Sequence, residues 1–212
     1  MKKREKQLTI IVFSLIIILI IGFLFMFFYQ KIRYSNIYFT YNGFDIQKVI
    51  DNNIPFYKIK FYFENNPNPF IISFRNNPKD LENITIGNNI KDILLKKGVK
   101  ELYITMPSDA SSVSIIAATE ISKIVGNQYF FNLPTHGALT NPIEGKDVPV
   151  KTCNDISSNT SIILFKIAQE TKIYSENSCI IIQGNNEYEL IRGANRLVLT
   201  LLNIMKPSLS NN

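Results

Sequence analysis

The residue of this chain best suited to proton transfer is its one histidine, His136, because imidazole titrates near neutral pH. Two carboxylates, Glu144 and Asp147, follow it at short spacing. No familiar nucleophile motif accompanies them, since the sequence contains no G-x-S-x-G turn, no C-x-x-C pair, no H-E-x-x-H helix and no glycine-rich phosphate loop. These absences argue against an enzyme without excluding one, because carboxylates distant in sequence can meet in space.

The stretch from Pro134 to Pro149 shows neither helical nor strand periodicity and contains three prolines. Long irregular stretches inside a domain commonly carry binding residues. We therefore predict a binding loop here, and the alternative is a plain surface connector between two halves of the domain. With so few histidines and cysteines, the sequence predicts neither a metal site nor a cofactor. The candidate binding residues are His136, Asn141, Glu144, Lys146 and Asp147.

An uncharged apolar run from Leu8 to Tyr29 determines where these residues work. As a helix it would be roughly 33 Å long, which is enough to cross a hydrocarbon core of about 30 Å. Basic residues concentrate in the tail over residues 1–7, which predicts that this tail is cytoplasmic and that the rest of the chain lies outside. The sequence thus predicts a single-pass anchor in the lipid bilayer.

Two other interpretations of the N-terminus remain open. A cleaved signal peptide would have a shorter apolar region followed by a small-x-small site, and neither feature is present. A pilin-like precursor shares the basic leader and apolar helix, but the glycine or alanine before the cut and the glutamate after it are missing from EKQLTIIVF. We therefore favour an uncleaved anchor.

Charge and cysteine content fit a domain outside the cytoplasm. The net charge of +6 owes much to the tail, and the rest of the chain carries 19 basic against 16 acidic residues, so nucleic-acid binding is not expected. Cys153 and Cys179 form an even pair, which favours a disulfide in an oxidising compartment over two buried free thiols. Asn83 and Asn159 begin N-x-[ST] triplets and are candidate glycosylation sites.

Alternating patterns predict several strands. Over residues 55–64 the apolar side chains follow a period of two, as they do over 70–75, and the five residues 65–69 between them suit a hairpin connection. A strand over 99–105, a helix over 113–124 capped by Asp109 with Ser112, and a strand over 128–133 form a candidate parallel crossover unit. Further strands are predicted over 37–41, 161–167 and 179–183.

The final helix is predicted over residues 187–205, with an apolar face that includes Ile191, Ala194 and Val198. Arg192 and Arg196 lie four residues apart on another face, which we expect to be solvated. Altogether the sequence predicts an N-terminal transmembrane helix followed by an α/β (or α+β) domain on a mixed sheet over 30–206, with a disordered tail over 207–212.

Several segments together resemble a family of uncharacterised single-pass membrane-anchored proteins of archaea. They are the anchor itself, YNGFDI at residues 41–46, FRNNPKDLENI at 74–84, YITMPSDASSVSIIAATEIS at 103–122, VKTCND at 150–155 and SCIIIQGNNEYELIRGANRLV at 178–198. The resemblance implies an archaeal envelope setting and a shared placement of the two cysteines. It implies no activity, cofactor or catalytic residue.

The sequence therefore favours a non-enzymatic, membrane-anchored interaction module of the cell envelope, or a subunit of a larger membrane complex with a protein partner. The alternative from a different class is a membrane-tethered hydrolase that acts outside the cytoplasm. A pilin-like envelope protein is the third interpretation. A deep pocket with convergent carboxylates around His136 would favour the hydrolase, whereas a broad exposed apolar patch would favour the binding module.

Overall fold

A computed structural model describes residues 2–63 and 66–207 of the chain. Its first element is the helix α1, Lys2–Ile37, which contains the predicted apolar run and continues beyond it. From Phe13 to Gln30 the helix has a mean hydropathy of 2.4 and is 0% buried inside the protein. This length and composition suit a membrane anchor or a signal sequence. The predicted C-terminal tail after Pro207 lies outside the described residues.

A four-stranded antiparallel meander follows α1 directly. Its strands pair in chain order and are joined by short turns in which asparagine and glycine adopt positive φ angles, at Asn42-Gly43 and at Asn52-Asn53. Asparagine tolerates this left-handed conformation better than most side chains do, so these polar turns determine where each strand ends. The strands are β1, Tyr38–Tyr41; β2, Phe44–Asp51; β3, Ile54–Phe63; and β4, Asn66–Phe74.

The alternation predicted for this hairpin is confirmed, and its predicted connection is wrong. Ile59 on β3 and Ile72 on β4 are buried, whereas Lys60 and Tyr62 are exposed on the other face. The strand β4 already begins at Asn66, so it includes most of the predicted connection over 65–69. Prolines at the start of a strand on the sheet edge are tolerated because their missing N–H groups leave no ladder bond unmade.

A second sheet has six strands in the order β5-β9-β10-β8-β6-β7. The neighbours β10-β8, β8-β6 and β6-β7 are parallel, whereas β9 runs antiparallel to β10, so the predicted mixed sheet is confirmed and the meander is additional to it. The strands are β5, Thr85–Ile86; β6, Glu101–Met106; β7, Thr135–Leu139; β8, Thr160–Ile167; β9, Lys172–Glu176; and β10, Cys179–Gly184.

The crossover unit from β6 through the helix α3, Ser112–Val125, is present, but its second strand is β7 rather than residues 128–133. In that predicted strand, Tyr129 and Phe130 instead form a turn whose rings pack against Phe63 and Phe70 of the meander at 5.5–5.7 Å. Aromatic residues raise strand propensity, yet here their rings pack against the edge of the meander. The short helix α2 occupies Ile90–Leu94.

The last helix, α4, Glu187–Leu201, is buried over every residue from Gly193 to Leu201. It packs against α3 and β10, and its side chains also reach the end of the meander. The close approach to β10 requires glycine at 193, because a Cβ there would lie 2.6 Å from Ile182 Cγ2. Burial on all sides corrects the predicted solvated face, since Arg196 is only 3% exposed.

Candidate functional site

The six-stranded sheet presents one face to α3 and α4, and its second face carries the predicted histidine. His136 lies on the edge strand β7 beside Tyr103 of β6, with ring centroids 5.1 Å apart. The ammonium of Lys151 lies 5.1 Å from the centre of the Tyr103 ring. Glu101 places a carboxylate oxygen 3.9 Å from His136 Nε2. We call Glu101, Tyr103, His136 and Lys151 the His136 patch.

This placement corrects the predicted loop over 134–149. Residues 135–139 form β7, which adds to the sheet because the Pro134 carbonyl accepts a hydrogen bond from the Leu102 N–H and thereby aligns the register. The other four candidate binding residues follow β7 on an exposed irregular segment, and none forms a hydrogen bond or ion pair with His136 in the described part of the chain. These four are Asn141, Glu144, Lys146 and Asp147.

The irregular segment over 140–159 crosses the second face of the sheet and is attached to it at several points. Val150 forms a single bridge beside Leu139, and the buried hydroxyl of Thr105 donates a hydrogen bond of 2.7 Å to the Lys151 carbonyl. These contacts hold the segment over the buried side chains of Ile162 and Ile181. We call residues 140–159 the covering segment.

The two cysteines make the strongest attachment of the covering segment. Cys153 and Cys179 are joined as a disulfide, with their Cα atoms 5.4 Å apart, and Cys179 is fully buried on β10. The capping box of Thr152 and Asp155 fixes the short 3-10 turn around Cys153. Hydrogen bonds from the Thr152 backbone N–H and hydroxyl lower the pKa of Asp155.

The carboxylate and the imidazole of the His136 patch are not hydrogen-bonded to each other. At 3.9 Å, Glu101 and His136 are beyond hydrogen-bond distance, and the other Glu101 oxygen accepts the Thr160 hydroxyl at 2.9 Å. The described residues contain no group of three or more side chains that could hold a metal ion. A cation, two rings and a carboxylate on an open sheet edge can instead contact aromatic and charged groups of a partner.

A buried polar cluster lies where the meander meets α3 and α4. The Glu120 carboxylate is 5% exposed, accepts a hydrogen bond from Asn195 Nδ2 at 2.9 Å and lies 3.4 Å from Arg75 Nε. The Asn195 amide oxygen accepts the backbone N–H groups of Arg75 and Asn76. Lys123 Nζ lies 2.5 Å from Glu120. The cluster therefore joins β4 to both helices and serves the fold.

A second buried group, Arg196, was expected to be solvated. Its guanidinium donates to the carbonyls of Ile84 at 3.1 Å and Lys206 at 2.8 Å and to the Thr200 hydroxyl at 3.0 Å. Burial lowers the pKa of Arg196 because it removes water from the charge, and the nearby Tyr41 and Glu82 oppose that effect. The arginine thus closes the C-terminal end of α4. In the sequence, Arg196 is an arginine at ordinary helical spacing, and nothing near it in the sequence indicates that it is buried.

In α/β sheets, ligands usually bind at the carboxyl ends of the parallel strands. Here side chains of the protein itself occupy part of that edge. The Glu187 carboxylate accepts hydrogen bonds from the Ser111 N–H and hydroxyl and from the Ser114 hydroxyl. These bonds lower the pKa of Glu187 and close the N-terminus of α3. Ser111, rather than the predicted Asp109, is the N-cap.

Arg192 forms an ion pair with Glu189 on the same helix, at 2.8 Å. Its other nitrogen contacts the side-chain oxygen of Asn83 at 3.3 Å. Asn83 and Asn159, the candidate glycosylation sites, are both exposed.

No family model, no curated protein sequence and no solved structure matches this chain.

Proposed function

We propose that this chain is a single-pass membrane protein whose α/β domain lies outside the cytoplasm and binds a protein partner without catalysing a reaction. The observation that carries the proposal is α1, whose apolar window from Phe13 to Gln30 is 0% buried by the rest of the protein. An uncharged apolar helix of that length is long enough to cross the hydrocarbon core of a bilayer. The disulfide at Cys153 supports an oxidising compartment.

The binding surface that we propose consists of the His136 patch and the exposed part of the covering segment over 141–147. This surface is open and carries both charges and rings, whereas the Glu120 cluster and Arg196 are buried and occupied by contacts within the domain. Rim charges around aromatic side chains suit recognition of a protein surface. The setting that we propose is a cell envelope, as in the archaeal family that the sequence resembles.

The topology has a direct test. Protease added to intact cells is expected to digest the domain and to spare the N-terminal tail, because basic residues keep that tail on the cytoplasmic side of the membrane. Immunoblotting against tags at the two ends measures the outcome, and sequencing the mature N-terminus distinguishes an anchor from a cleaved leader or a pilin-like precursor. Full protection of the domain in intact cells, with digestion only after lysis, would contradict the proposed orientation.

The binding surface is tested by replacing residues 141–147 with glycine and serine, which leaves β7 intact. Recovery of the partner that co-purifies from native membranes is expected to fall more than about tenfold, because several contacts are lost together. His136→Ala removes one partly exposed side chain and is expected to change recovery less than about threefold. Lys97→Ala, at an exposed site elsewhere, is the control.

The second candidate function, an extracytoplasmic hydrolase, draws on the proximity of Glu101 to His136. Its distinguishing result is a hydrolytic activity of the purified protein that His136→Ala abolishes while the domain remains folded. The binding proposal is contradicted by that result. It is also contradicted if the 141–147 replacement retains full partner recovery.

A further inference from the structure

One face of the meander, opposite the face that joins the core, is largely exposed among the described residues. Tyr62 is 69% exposed there, Ile71 is 50% exposed and Tyr38 is 43% exposed. Lys58 and Lys60 lie between them on β3, and the strands enclose a shallow groove of about 640 Å³. We call the surface formed by Tyr38, Lys58, Lys60, Tyr62 and Ile71 the open face.

The open face starts close to the end of the proposed membrane span. The apolar window ends at Gln30, α1 continues to Ile37, and β1 begins at the next residue. At 1.5 Å per residue the intervening helix is about 10 Å long. Lipid headgroups extend about 5–8 Å beyond the hydrocarbon on each side, so the meander begins within about one Debye length of them.

The chemistry of the open face complements phosphate-bearing headgroups. Lys58 and Lys60 form no ion pair within the described residues, so their charges are available. Tyrosine is a residue type enriched at the membrane interface, where its ring and hydroxyl meet different environments. The nearby carboxylate of Asp45 already accepts the Thr40 hydroxyl at 3.0 Å.

We propose that the open face binds the anionic headgroups of the bilayer that α1 crosses. The inference rests on the proposed membrane span, and it adds that the domain rests on the lipid surface instead of moving freely above it. The ammonium groups of Lys58 and Lys60 contact lipid phosphates. Tyr62 and Ile71 contact the boundary between the headgroups and the hydrocarbon core. The meander then fixes the orientation of the domain relative to the bilayer. The His136 patch belongs to the other, six-stranded sheet and takes no part in this contact.

The test uses the full chain in proteoliposomes made either with phosphatidylglycerol or with phosphatidylcholine alone. A soluble amine-acetylating reagent is applied, and modification of each lysine is measured by mass spectrometry. Lys58 and Lys60 are expected to react about fivefold or more slowly in the anionic bilayer, with the difference lost in 1 M salt, where the Debye length is about 3 Å. Lys96 and Lys97, exposed at a distant turn, are the internal control.

A second measurement uses the variant Lys58→Gln with Lys60→Gln. Amide exchange of β3 is expected to slow in the anionic bilayer for the parent and to remain unchanged for this variant. Acetylation of Lys58 and Lys60 as fast as that of the control lysines in both bilayers at low salt, in a chain that is inserted, overturns this inference alone. Protection of equal size in phosphatidylcholine overturns the assignment to charged headgroups. A chain that separates from the vesicles on flotation overturns the membrane span as well.

Discussion

Replacing Arg196 with alanine is expected to lower the free energy of unfolding by about 3–5 kcal/mol. The substitution leaves the carbonyls of Ile84 and Lys206 without their donor and opens a cavity beside Thr200. An orphaned buried acceptor costs about 1–3 kcal/mol, and the lost packing of the arginine stem adds to that. Relief of the buried charge acts in the opposite direction, but it does not replace the missing donors.

Near-ultraviolet circular dichroism of the full chain in detergent measures this effect, because eight of the ten tyrosines lie in the domain after α1. The midpoint of thermal unfolding is expected to fall by about 10 °C, at about 2–4 °C per kcal/mol for a domain of this size. Arg196→Met retains much of the volume and is expected to lose less. Arg192→Ala is the matched control, because its pair with Glu189 is partly exposed and contributes about 1 kcal/mol or less. Equal losses at the two arginines would refute the structural role of Arg196.

Removal of the disulfide is expected to have an effect of similar size. Cys153 and Cys179 are 26 residues apart, and the loop-closure model gives about 3–4 kcal/mol for a bridge of this span. The double variant Cys153→Ala with Cys179→Ala is preferable to serine, because Cys179 is fully buried and serine would bury a hydroxyl. Reduction of the parent protein is expected to reproduce the same loss.

The location of the effect is as informative as its size. Without the bridge, the middle of the covering segment is held by the hydrogen bonds around Thr105 and Val150, and further backbone hydrogen bonds hold its two ends, at Thr140 and Asn159. Its amides are therefore expected to exchange faster than those of α4. Hydrogen exchange followed by mass spectrometry measures this difference peptide by peptide. Adding the reductant to the double variant is expected to leave its hydrogen-exchange rates unchanged, because that variant has no disulfide. Two thiols that react with an alkylating reagent in the native, unreduced protein would rule out the bridge.

The placement of His136 shows why the site was only partly predictable. The chain from Pro134 onward lacks alternation because β7 is a short edge strand with a glycine at its centre, and its partner β6 lies over thirty residues earlier. No local pattern reports such a pairing, since the hydrogen bonds form between distant residues. The ring of Tyr103 and the ammonium of Lys151 therefore meet His136 only in the folded sheet.

The sequence by itself determined those features whose cause is local. An uncharged apolar run makes α1, alternation makes the two faces of β3 and β4, and helical spacing makes α3. Asn42-Gly43 ends β1 because those two residue types accept a left-handed backbone. The mixed sheet also followed from the order of predicted strands and helices, because a strand, helix and strand in sequence favour a parallel crossover.

Only the tertiary structure decided which polar groups are inside. Arg196 and Asn195 lie on a helix that looks amphipathic in sequence, yet α4 is enclosed by β10, α3 and the end of the meander. Local periodicity reports how many apolar side chains face one way, and it contains no information about a second layer that arrives from elsewhere in the chain. The guanidinium of Arg196 stabilises the fold because the carbonyls of Ile84 and Lys206 accept its hydrogen bonds in place of water.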